Sequence, residues 1–214
     1  MIEASQLQFF ARAGAATVYE AYGRIGDLDP AVRAMLPGLA VAGPAFCVQC
    51  ERGDNLALHR AVAEAAAGDV IVLSGDGEAC GYLGDILAEA AVCRGIAGVV
   101  VDGFVRDVAE LTKMRFPVWA KGLAIRGATK VHPGLIGAPV LCGGVRIAPG
   151  DLIVADDDGV CKVAHADIAR VFESTGKRLA QEIAMRDRLR QGALTLDLLD
   201  LRKYLFAAGE EQPR

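Results

Sequence analysis

Two carboxylates and an arginine occur at a spacing that suits metal-assisted chemistry on an acidic substrate. Asp85 follows Gly84 in a glycine-rich stretch, and Arg106 and Asp107 come after 20 intervening residues. Carboxylate oxygens are ligands that Mg²⁺ accepts readily, and an arginine guanidinium can bind a carboxylate or phosphate through two parallel hydrogen bonds. These residue types therefore favour a site that chelates a divalent cation and holds an anion.

A strand–helix–strand unit is expected to bring these side chains together. Residues 70–73 and 96–101 are apolar runs of strand length, and residues 85–94 between them show helical periodicity. A crossover of this length makes the two strands parallel, so their carboxyl ends share one edge of the sheet, where ligands bind in open α/β folds. The helix N-terminus near Asp85 adds N–H groups that suit an anion.

The residue pattern of this unit predicts two further details. Ile86, Leu87, Ala90 and Ala91 are expected to form the face of the helix that packs inward. Asp102, followed by a glycine, is expected to end the second strand as a turn residue rather than to act as a ligand.

The rest of the chain alternates predicted helices and strands, which indicates an α/β fold. Helices are expected at residues 5–22, 28–31, 56–67, 107–114, 166–190 and 194–205. Strands are expected at residues 39–49 and 117–120. Residues 122–137 are expected to be irregular, and residues 140–163 are expected to form an antiparallel meander. A long helix and arm after a finished sheet favour packing on another subunit, so we divide the chain into a core, residues 1–165, and a C-terminal helix and arm, residues 166–214.

Length and composition restrict the class of protein. The chain has 214 residues, 53% of them hydrophobic, a net charge of −4 and no block of Lys or Arg, which argues for one large core and against a nucleic-acid surface. No basic and then apolar leader follows Met1, and no apolar run is long enough for a membrane span. Six cysteines in apolar surroundings favour reduced, buried thiols, so we expect a cytoplasmic protein.

Each candidate residue also has a purely structural interpretation. Asp85 could simply cap its helix, because helix starts favour aspartate on local grounds. Arg106 and Asp107 could form an ordinary surface ion pair of little energetic value. Their place at the carboxyl end of a strand favours a functional role over that interpretation.

Other motifs are better explained by structure than by chemistry. Residues 156–158 are all aspartates and resemble a metal cluster, but a glycine follows them as in a hairpin turn, which is the interpretation we favour. Cys47 and Cys50 have metal-ligand spacing, yet strand alternation would send their thiols to opposite faces. Residues 75–81 lack the glycine spacing of a dinucleotide loop, and no nucleophile elbow is present.

Asp85, the 20 residues after it and Arg106-Asp107 match the D-x20-R-D signature of the RraA-like superfamily. The chain resembles the class II pyruvate aldolases of that superfamily, which act on 4-hydroxy-4-methyl-2-oxoglutarate and 4-carboxy-4-hydroxy-2-oxoadipate. The resemblance covers nearly the whole chain. It extends to the segments around Gly43-Pro44, Gly53-Asp54-Asn55, Gly68-Asp69, Val101-Asp102-Gly103, Gly143-Gly144, Pro149-Gly150-Asp151 and Asp156-Asp157-Asp158-Gly159.

The resemblance implies an α/β/α-type sandwich related to swivelling phosphohistidine domains, assembled as homotrimers or homohexamers. It implies a Mg²⁺ or Mn²⁺ ion bound directly by Asp107, with Asp85 holding water on the metal. Arg106 and the backbone amides of Gly84, Asp85, Ile86 and Leu87 would hold the pyruvyl carboxylate. Glu182, from the C-terminal helix of a neighbouring subunit, would complete the outer coordination sphere.

The activity that the resemblance implies is metal-dependent cleavage of a 4-hydroxy-2-oxo di- or tricarboxylate to pyruvate and an oxo acid, with oxaloacetate decarboxylation as a side activity. Asp85, Arg106 and Asp107 are the expected catalytic residues. The proton of the C4 hydroxyl would pass to metal-bound water oriented by Asp85, or to Asp85 itself. Two alternatives stay open: a non-catalytic regulator that binds a ribonuclease, and a lyase for another 2-oxo or hydroxy acid.

Overall fold

The computed structural model of the protein describes residues 2–75 and 77–205. The helices are α1 (Ala4–Ala13), α2 (Ala15–Ala21), α3 (Leu56–Glu64), α4 (Asp85–Cys93), α5 (Val108–Met114), α6 (Ile168–Arg190), α7 (Thr195–Leu198) and α8 (Arg202–Leu205). The strands are β1 (Arg33–Ala34), β2 (Val41–Gln49), β3 (Val70–Ser74), β4 (Gly81–Leu83), β5 (Gly98–Val105), β6 (Val118–Leu123), β7 (Leu135–Ile136), β8 (Val140–Cys142), β9 (Val145–Ile147), β10 (Leu152–Asp156) and β11 (Gly159–Val163).

One mixed sheet organises the fold, in the order β1-β6-β5-β3-β2-β10-β11. Its centre is parallel, because β2, β3, β5 and β6 pair in one direction, while β1, β10 and β11 are antiparallel to their neighbours. The predicted parallel crossover from β3 through α4 to β5 is therefore confirmed, and so is the α/β class. The carboxyl ends of these parallel strands lie at the edge where the candidate residues were expected.

The sheet curls until it is nearly closed, since its end strands β1 and β11 approach each other. Its inner side is filled by a buried apolar cluster that includes Val72, Val100, Trp119 and Ile153. The hairpin β8–β9 packs beside β3 and forms a separate two-stranded sheet. The single antiparallel meander expected over residues 140–163 was thus wrong, because its two hairpins belong to different sheets.

Helices cover the outer side of the sheet in two places. The helices α3, α4 and α5 pack on the parallel strands through a cluster that includes Leu58, Ala88 and Leu111. The helices α1 and α2 and the start of α6 pack on β10 and β11 through a cluster that includes Phe10 and Val171. Burying such clusters stabilises a domain by about 25 cal/mol for each Å² of apolar surface removed from water.

Two predicted N-terminal helices were wrong in detail. Residues 5–22 form two helices, since Gly14 adopts a positive φ of 84° and ends α1, and the Asp156 carboxylate then accepts a hydrogen bond from Ala15 N–H at 2.7 Å. Residues 28–31 form a turn instead of a helix. There the Asp29 side chain accepts a hydrogen bond from Ala31 N–H at 2.9 Å, which is the usual way aspartate stabilises a turn.

The strand expected to end at Asp102 continues as β5 to Val105. Asp102 accepts a hydrogen bond from Gly143 N–H at 2.8 Å and pairs with Lys121, so its side chain serves long-range contacts rather than a turn. The register of β5 against β6 shifts between Val101 and Phe104, which absorbs the irregularity. Beyond the shift β5 pairs with β4, a short strand within the glycine-rich stretch that the sequence did not reveal.

The buried face of α4 also differs from the expectation. Leu87, Ala88 and Ala91 are buried, whereas Ile86 is 79% exposed and Ala90 is exposed. A helix beginning at Asp85 with Gly84 as its N-cap residue places Ile86 toward the carboxyl edge of the sheet rather than toward the core. Asp85 is consequently the first helical residue and not the cap.

Two structural interpretations from the sequence are confirmed. Asp156 pairs with Gly159 across the β10–β11 hairpin, so the three aspartates form a turn. Cys47 and Cys50 are both buried, and they belong to the clusters on opposite sides of the sheet. Cys93 differs from the other five cysteines, since its side chain is exposed.

The chain divides into two compact units, one up to Thr175 and the other from Gly176 onward. The second unit contains most of α6 together with α7 and α8, and the tail at residues 206–214 lies outside the described residues. Apolar side chains on this unit are exposed, among them Ile183, Leu194 and Tyr204. Among the described helices, none has the length and apolar character needed to span a membrane.

Candidate active site

The strand β4 brings Asp85 beside Arg106 and Asp107. It runs parallel to β5, with Gly81 opposite Phe104 and Leu83 opposite Val105. The two strands therefore end side by side. The chain continues from β4 into α4 and from β5 into Arg106 and Asp107. Arg106 N–H donates a hydrogen bond to the Leu83 carbonyl at 2.9 Å. The structure thus brings together the three residues that the spacing predicted, although the short strand β4 rather than β3 delivers Asp85.

Asp107 has an unusual backbone conformation at the turn into α5. Its φ of 59° and ψ of 35° are left-handed, which costs an ordinary residue about 1 kcal/mol but is tolerated by aspartate. In this conformation its Oδ2 atom lies 3.2 Å from Asp85 N and 3.2 Å from Arg106 Nε. The Asp107 carboxylate is thereby held between the start of α4 and the guanidinium of Arg106.

Glycines make room for this arrangement. A Cβ atom on Gly84 would lie 2.5 Å from Asp107 Oδ2, closer than two such atoms can approach. A Cβ atom on Gly81 would lie 3.0 Å from the Arg106 side chain, and one on Gly127 would lie 3.1 Å from its Nη1 atom. The Arg106 side chain therefore crosses a surface of backbone, which is the use of glycine wherever close approach is needed.

Two of the N–H groups at the start of α4 are already occupied by carboxylates. Asp85 N–H donates to Asp107 Oδ2, and Ile86 N–H donates to the Asp85 side chain at 2.8 Å. Within the described chain, Leu87 N–H has no hydrogen-bond acceptor, so it stays available to a ligand. Arg106 and the α4 N-terminus together remain suited to an anion, which would share this space with the Asp107 carboxylate.

A cavity of about 270 Å³ opens beside Arg106. One wall consists of the N-terminal turn of α4, from Gly84 to Leu87, together with Arg106. Asn55 and His59 from the start of α3 form another wall, and the segment from Gly127 to Lys130 forms the third. Asp107 borders a neighbouring cleft of about 310 Å³ that Arg106 and the exposed side chains of Leu123 and Ile125 share.

The carboxylates fit a hard divalent cation that keeps much of its water. Asp85 and Asp107 offer oxygen ligands at an accessible position, and one oxygen of each has no hydrogen-bond donor among the described residues. In the described ranges no cluster of three or more His, Cys, Asp or Glu side chains could enclose a metal ion. Mg²⁺ typically binds through one or two carboxylates plus water and substrate, so the donor set suits it and disfavours Zn²⁺.

Glu182 lies on α6, within the second compact unit. It forms ion pairs with Arg178 at 3.0 Å and with Arg186 at 3.6 Å, each one helical turn away. These arginines hold its carboxylate in an ordered position on the helix. Its assignment to the metal of a neighbouring subunit stays a prediction.

Sequence reasoning missed the residues that hold the far side of the cavity in place. Asp54 is only 1% exposed, and its carboxylate accepts hydrogen bonds from Thr129 Oγ1 and Val131 N–H, both at 2.7 Å, and from Leu56 N–H at 2.9 Å. Burial alone would raise the pKa of Asp54, but the N–H groups of Val131 and Leu56 and the Thr129 hydroxyl lower it to about 2. The sequence signals at this place were the helix expected from residue 56 and the family resemblance around Gly53-Asp54-Asn55, and neither indicated this role.

Asn55 and His59 contribute polar groups to the same wall. The Asn55 Nδ2 donates to the Tyr82 carbonyl at 2.7 Å, which fixes the orientation of the amide. Its Oδ1 is buried and accepts no hydrogen bond from any described residue. Burial and the nearby charge of Lys130 lower the pKa of His59, which disfavours the protonated imidazole.

Comparison with known proteins finds relatives that match most of the chain. A protein from Halalkalibacterium halodurans, provisionally named 4-hydroxy-4-methyl-2-oxoglutarate aldolase, is 35% identical over 189 residues, which is 88% of each chain. The structure of an uncharacterized protein from Pseudomonas syringae pv. tomato is similar with a TM-score of 0.84 and 28% identity, over 94% of this chain and 95% of that one.

A second solved structure is that of RraAS2 from Streptomyces coelicolor, described as an unusual member of the RNase ES inhibitor RraA protein family. It has a TM-score of 0.77 and 31% identity, over 86% of this chain and 97% of that one. The RraA-like family, described as Aldolase/RraA, matches residues 15–161, a range that includes Asp85, Arg106 and Asp107. The chain therefore belongs to the RraA-like family of aldolases and RraA proteins.

Proposed function

We propose that the protein is a divalent-metal-dependent pyruvate aldolase. Its substrate is a 4-hydroxy-2-oxo di- or tricarboxylate, which it cleaves to pyruvate and an oxo acid. The observation that carries the proposal is the meeting of Asp85, Arg106 and Asp107 where two neighbouring cavities adjoin at Arg106, next to the unpaired Leu87 N–H group of α4 among the described residues. The 35% identity to a protein provisionally named as such an aldolase supports the same reaction.

Arg106 is assigned to the carboxylate at the 2-oxo end of the substrate. Its guanidinium can form two parallel hydrogen bonds to that group, and its positive charge stabilises the enolate that develops at C2 and C3. Since the side chain crosses Gly81, Gly84 and Gly127, it is positioned by backbone on several sides. A guanidinium held in this way needs little reorganisation when the negative charge forms.

Asp85 is assigned to the proton of the C4 hydroxyl, which it accepts directly or through a water molecule. Loss of that proton turns C4 into a carbonyl carbon as the C3–C4 bond breaks. The bonding electrons pass to C3 and the 2-oxo group as the enolate of pyruvate, and a proton added to C3 then releases pyruvate. Oxaloacetate would lose CO₂ through the same enolate, so decarboxylation is the expected side activity.

Asp107 directly, and Asp85 through water, would hold Mg²⁺ or Mn²⁺, which when bound supplies a Lewis acid for the 2-oxo group. Asp107 suits this role because Arg106 and Asp85 N–H fix one of its oxygens and leave the other exposed to the cleft. Glu182 of a neighbouring subunit is assigned to the water around the metal. The enzyme would thus act as a homotrimer or homohexamer.

The proposal is tested by coupled pyruvate release. Purified protein is offered 4-hydroxy-4-methyl-2-oxoglutarate, 4-carboxy-4-hydroxy-2-oxoadipate and oxaloacetate, each with Mg²⁺ and with excess EDTA. We expect pyruvate from at least one hydroxy substrate with Mg²⁺ and none with EDTA. Asp107→Ala should abolish the metal-dependent rate, while Asp158→Asn in the β10–β11 turn should retain it. Pyruvate release that continues in EDTA, or in Asp107→Ala, would refute the metal assignment.

A second candidate function is the regulation of a ribonuclease by binding, and the 31% identity to RraAS2 favours it. The similarity covers 97% of that protein and 86% of this chain, so this chain contains residues that have no counterpart in that structure. We favour the enzyme, because the long helix α6 carries Glu182, which our proposal assigns to the metal of a neighbouring subunit. Absence of metal-dependent pyruvate from all three substrates, together with inhibition of a ribonuclease E-type enzyme, would establish the second candidate instead.

A further inference from the structure

The cavity beside Arg106 has a second positively charged residue, Lys130, in the lining segment that begins at Gly127. Lys130 is exposed, and among the described residues it has no carboxylate partner; its Nζ contacts the Ala128 carbonyl at 3.5 Å. The lowered pKa of the neighbouring His59 disfavours a second positive charge there, so Lys130 provides the positive charge at this end. The cavity therefore offers one cation at each of two positions, Arg106 and Lys130.

The position of Lys130 is fixed from both sides. Thr129 and Val131 each donate a hydrogen bond to the buried Asp54 carboxylate at 2.7 Å. Asn55 N–H donates to the Thr129 carbonyl at 2.9 Å, and Thr129 N–H donates to the Gly53 carbonyl at 2.8 Å. The segment that carries Lys130 is thus tied to the start of α3, and its backbone stays at the cavity wall.

Asn55 adds an independent observation that points to a ligand. It is 7% exposed, and its Nδ2 group is committed to the Tyr82 carbonyl, so its Oδ1 atom can only accept a hydrogen bond. Within the described residues that atom has no donor, and a buried acceptor without a donor is costly. Because Asn55 lines the cavity, this acceptor lies directly behind the surface that a ligand would contact.

We propose that Lys130 binds the distal carboxylate of a dicarboxylate whose 2-oxo acid end lies on Arg106, and that it thereby determines the preference for dicarboxylates. The identity of the ligand rests on the proposed aldolase function. A cavity of about 270 Å³ suits a small acid with charges at both ends, since drug-sized ligands occupy about 300–1,000 Å³. Lys130 acts on substrate binding, whereas Asp85 and Arg106 act on the bond that breaks.

The test compares two inert ligands that differ in the distal carboxylate alone. 2-Oxoglutarate carries that group, and 2-oxopentanoate has a methyl group in its place; neither has a C4 hydroxyl, so neither can undergo the cleavage. Calorimetry in MgCl₂ should show that the wild-type protein binds 2-oxoglutarate about tenfold more tightly, as expected for a charged hydrogen bond. Lys130→Met should remove this preference, and Lys130→Arg should keep most of it.

Lys113→Met is the matched control, because Lys113 is an exposed lysine of α5 in the same compact unit and is not one of the residues that line the cavity. It should leave the preference unchanged. A preference for 2-oxoglutarate that survives in Lys130→Met, or its absence from the wild-type protein, would overturn the proposal.

Turnover separates this inference from the proposed function. The matched substrates are 4-hydroxy-4-methyl-2-oxoglutarate and 4-hydroxy-4-methyl-2-oxopentanoate, and Lys130→Met should lower kcat/KM about tenfold for the first alone. An equal loss for both substrates would contradict a specificity role. A third outcome is that the wild-type protein cleaves neither substrate, while the preference for 2-oxoglutarate seen in the wild-type protein is absent from Lys130→Met. In that case the aldolase proposal fails and the dicarboxylate site stands.

Discussion

At the scale of single residues, the candidate site depends on contacts that only glycine permits. Gly84 has an extended backbone with φ of −132° and ψ of −176°, which any residue can adopt. The site therefore requires the absence of a side chain at Gly84 and does not require an unusual backbone conformation there. The absent side chain allows Asp107 Oδ2 to reach the N–H group of Asp85.

Gly84→Ala is therefore expected to act on the site and little on the fold. The added Cβ atom must displace the Asp107 carboxylate, and a displacement of about 1 Å at a catalytic group lowers kcat/KM by about tenfold to a hundredfold. Pyruvate-release kinetics and urea unfolding measure the two effects. Gly176→Ala is the control, since its Cβ atom meets nothing within 4 Å and should stabilise α6 by about 0.5–1 kcal/mol with activity intact. Wild-type kinetics in Gly84→Ala would show that Asp107 does not need its observed position.

At the scale of elements, Asp54 joins the start of α3 to the segment that carries Thr129 and Val131. The pKa of Asp54 is lowered to about 2 from an ordinary value near 3.8, so its ionised form stabilises the folded state. That contribution is fully present above the unfolded-state pKa and is lost as the pH falls through the folded-state pKa. A pKa shift of this size contributes about 2 kcal/mol to the free energy of unfolding.

Asp54→Asn should consequently destabilise the protein by about 2 kcal/mol at pH 7, and the difference from wild type should shrink as the pH falls from about 4 to about 2. Urea unfolding at several pH values measures this difference. Asp69 provides the contrast, because burial raises its pKa. The difference in the free energy of unfolding between the wild-type protein and Asp69→Asn should therefore change in the opposite direction as the pH falls. A difference for Asp54→Asn that is constant across this range would mean that the carboxylate charge is not what stabilises the junction.

The elements also show what the sequence could predict and what it could not. The β3–α4–β5 crossover was predictable because apolar runs, a glycine-rich stretch and helical periodicity are local signals. The strand β4 was not, since Gly81 to Leu83 form a strand only through pairing with β5. The position of Lys130 at the cavity was hidden for the same reason, because its segment lacks periodicity and is ordered by Asp54, about 75 residues away.

At the scale of the whole molecule, our proposal takes Glu182 of the site from another subunit. The family match over residues 15–161 includes Asp85, Arg106 and Asp107 but ends before Glu182. Glu182 lies in the unit that begins at Gly176, where exposed apolar side chains are available for contact with another copy. The proposal therefore makes activity depend on assembly.

Subunit mixing tests that dependence. Asp107→Ala and Glu182→Ala should each be nearly inactive alone, because every site in either assembly lacks one group. Unfolding and refolding the two together should restore about a quarter of the sites, since these combine Asp107 of one chain with Glu182 of another. If Glu182 served its own subunit, each mixed site would still lack one residue and no activity would return.

The junction at Asp54 also has a consequence for engineering substrate preference. Most of the cavity wall outside α4 and Arg106 is encoded by two short sequence stretches, residues 53–60 and 127–131, which are held together by the buried Asp54 carboxylate and by backbone hydrogen bonds of Thr129. They form a cassette that can be exchanged between relatives as a pair, without altering Asp85, Arg106 or Asp107. Exchange of either stretch alone would separate Asp54 from its donors and cost stability, so libraries for new acids should vary both stretches around a fixed Asp54 and Thr129.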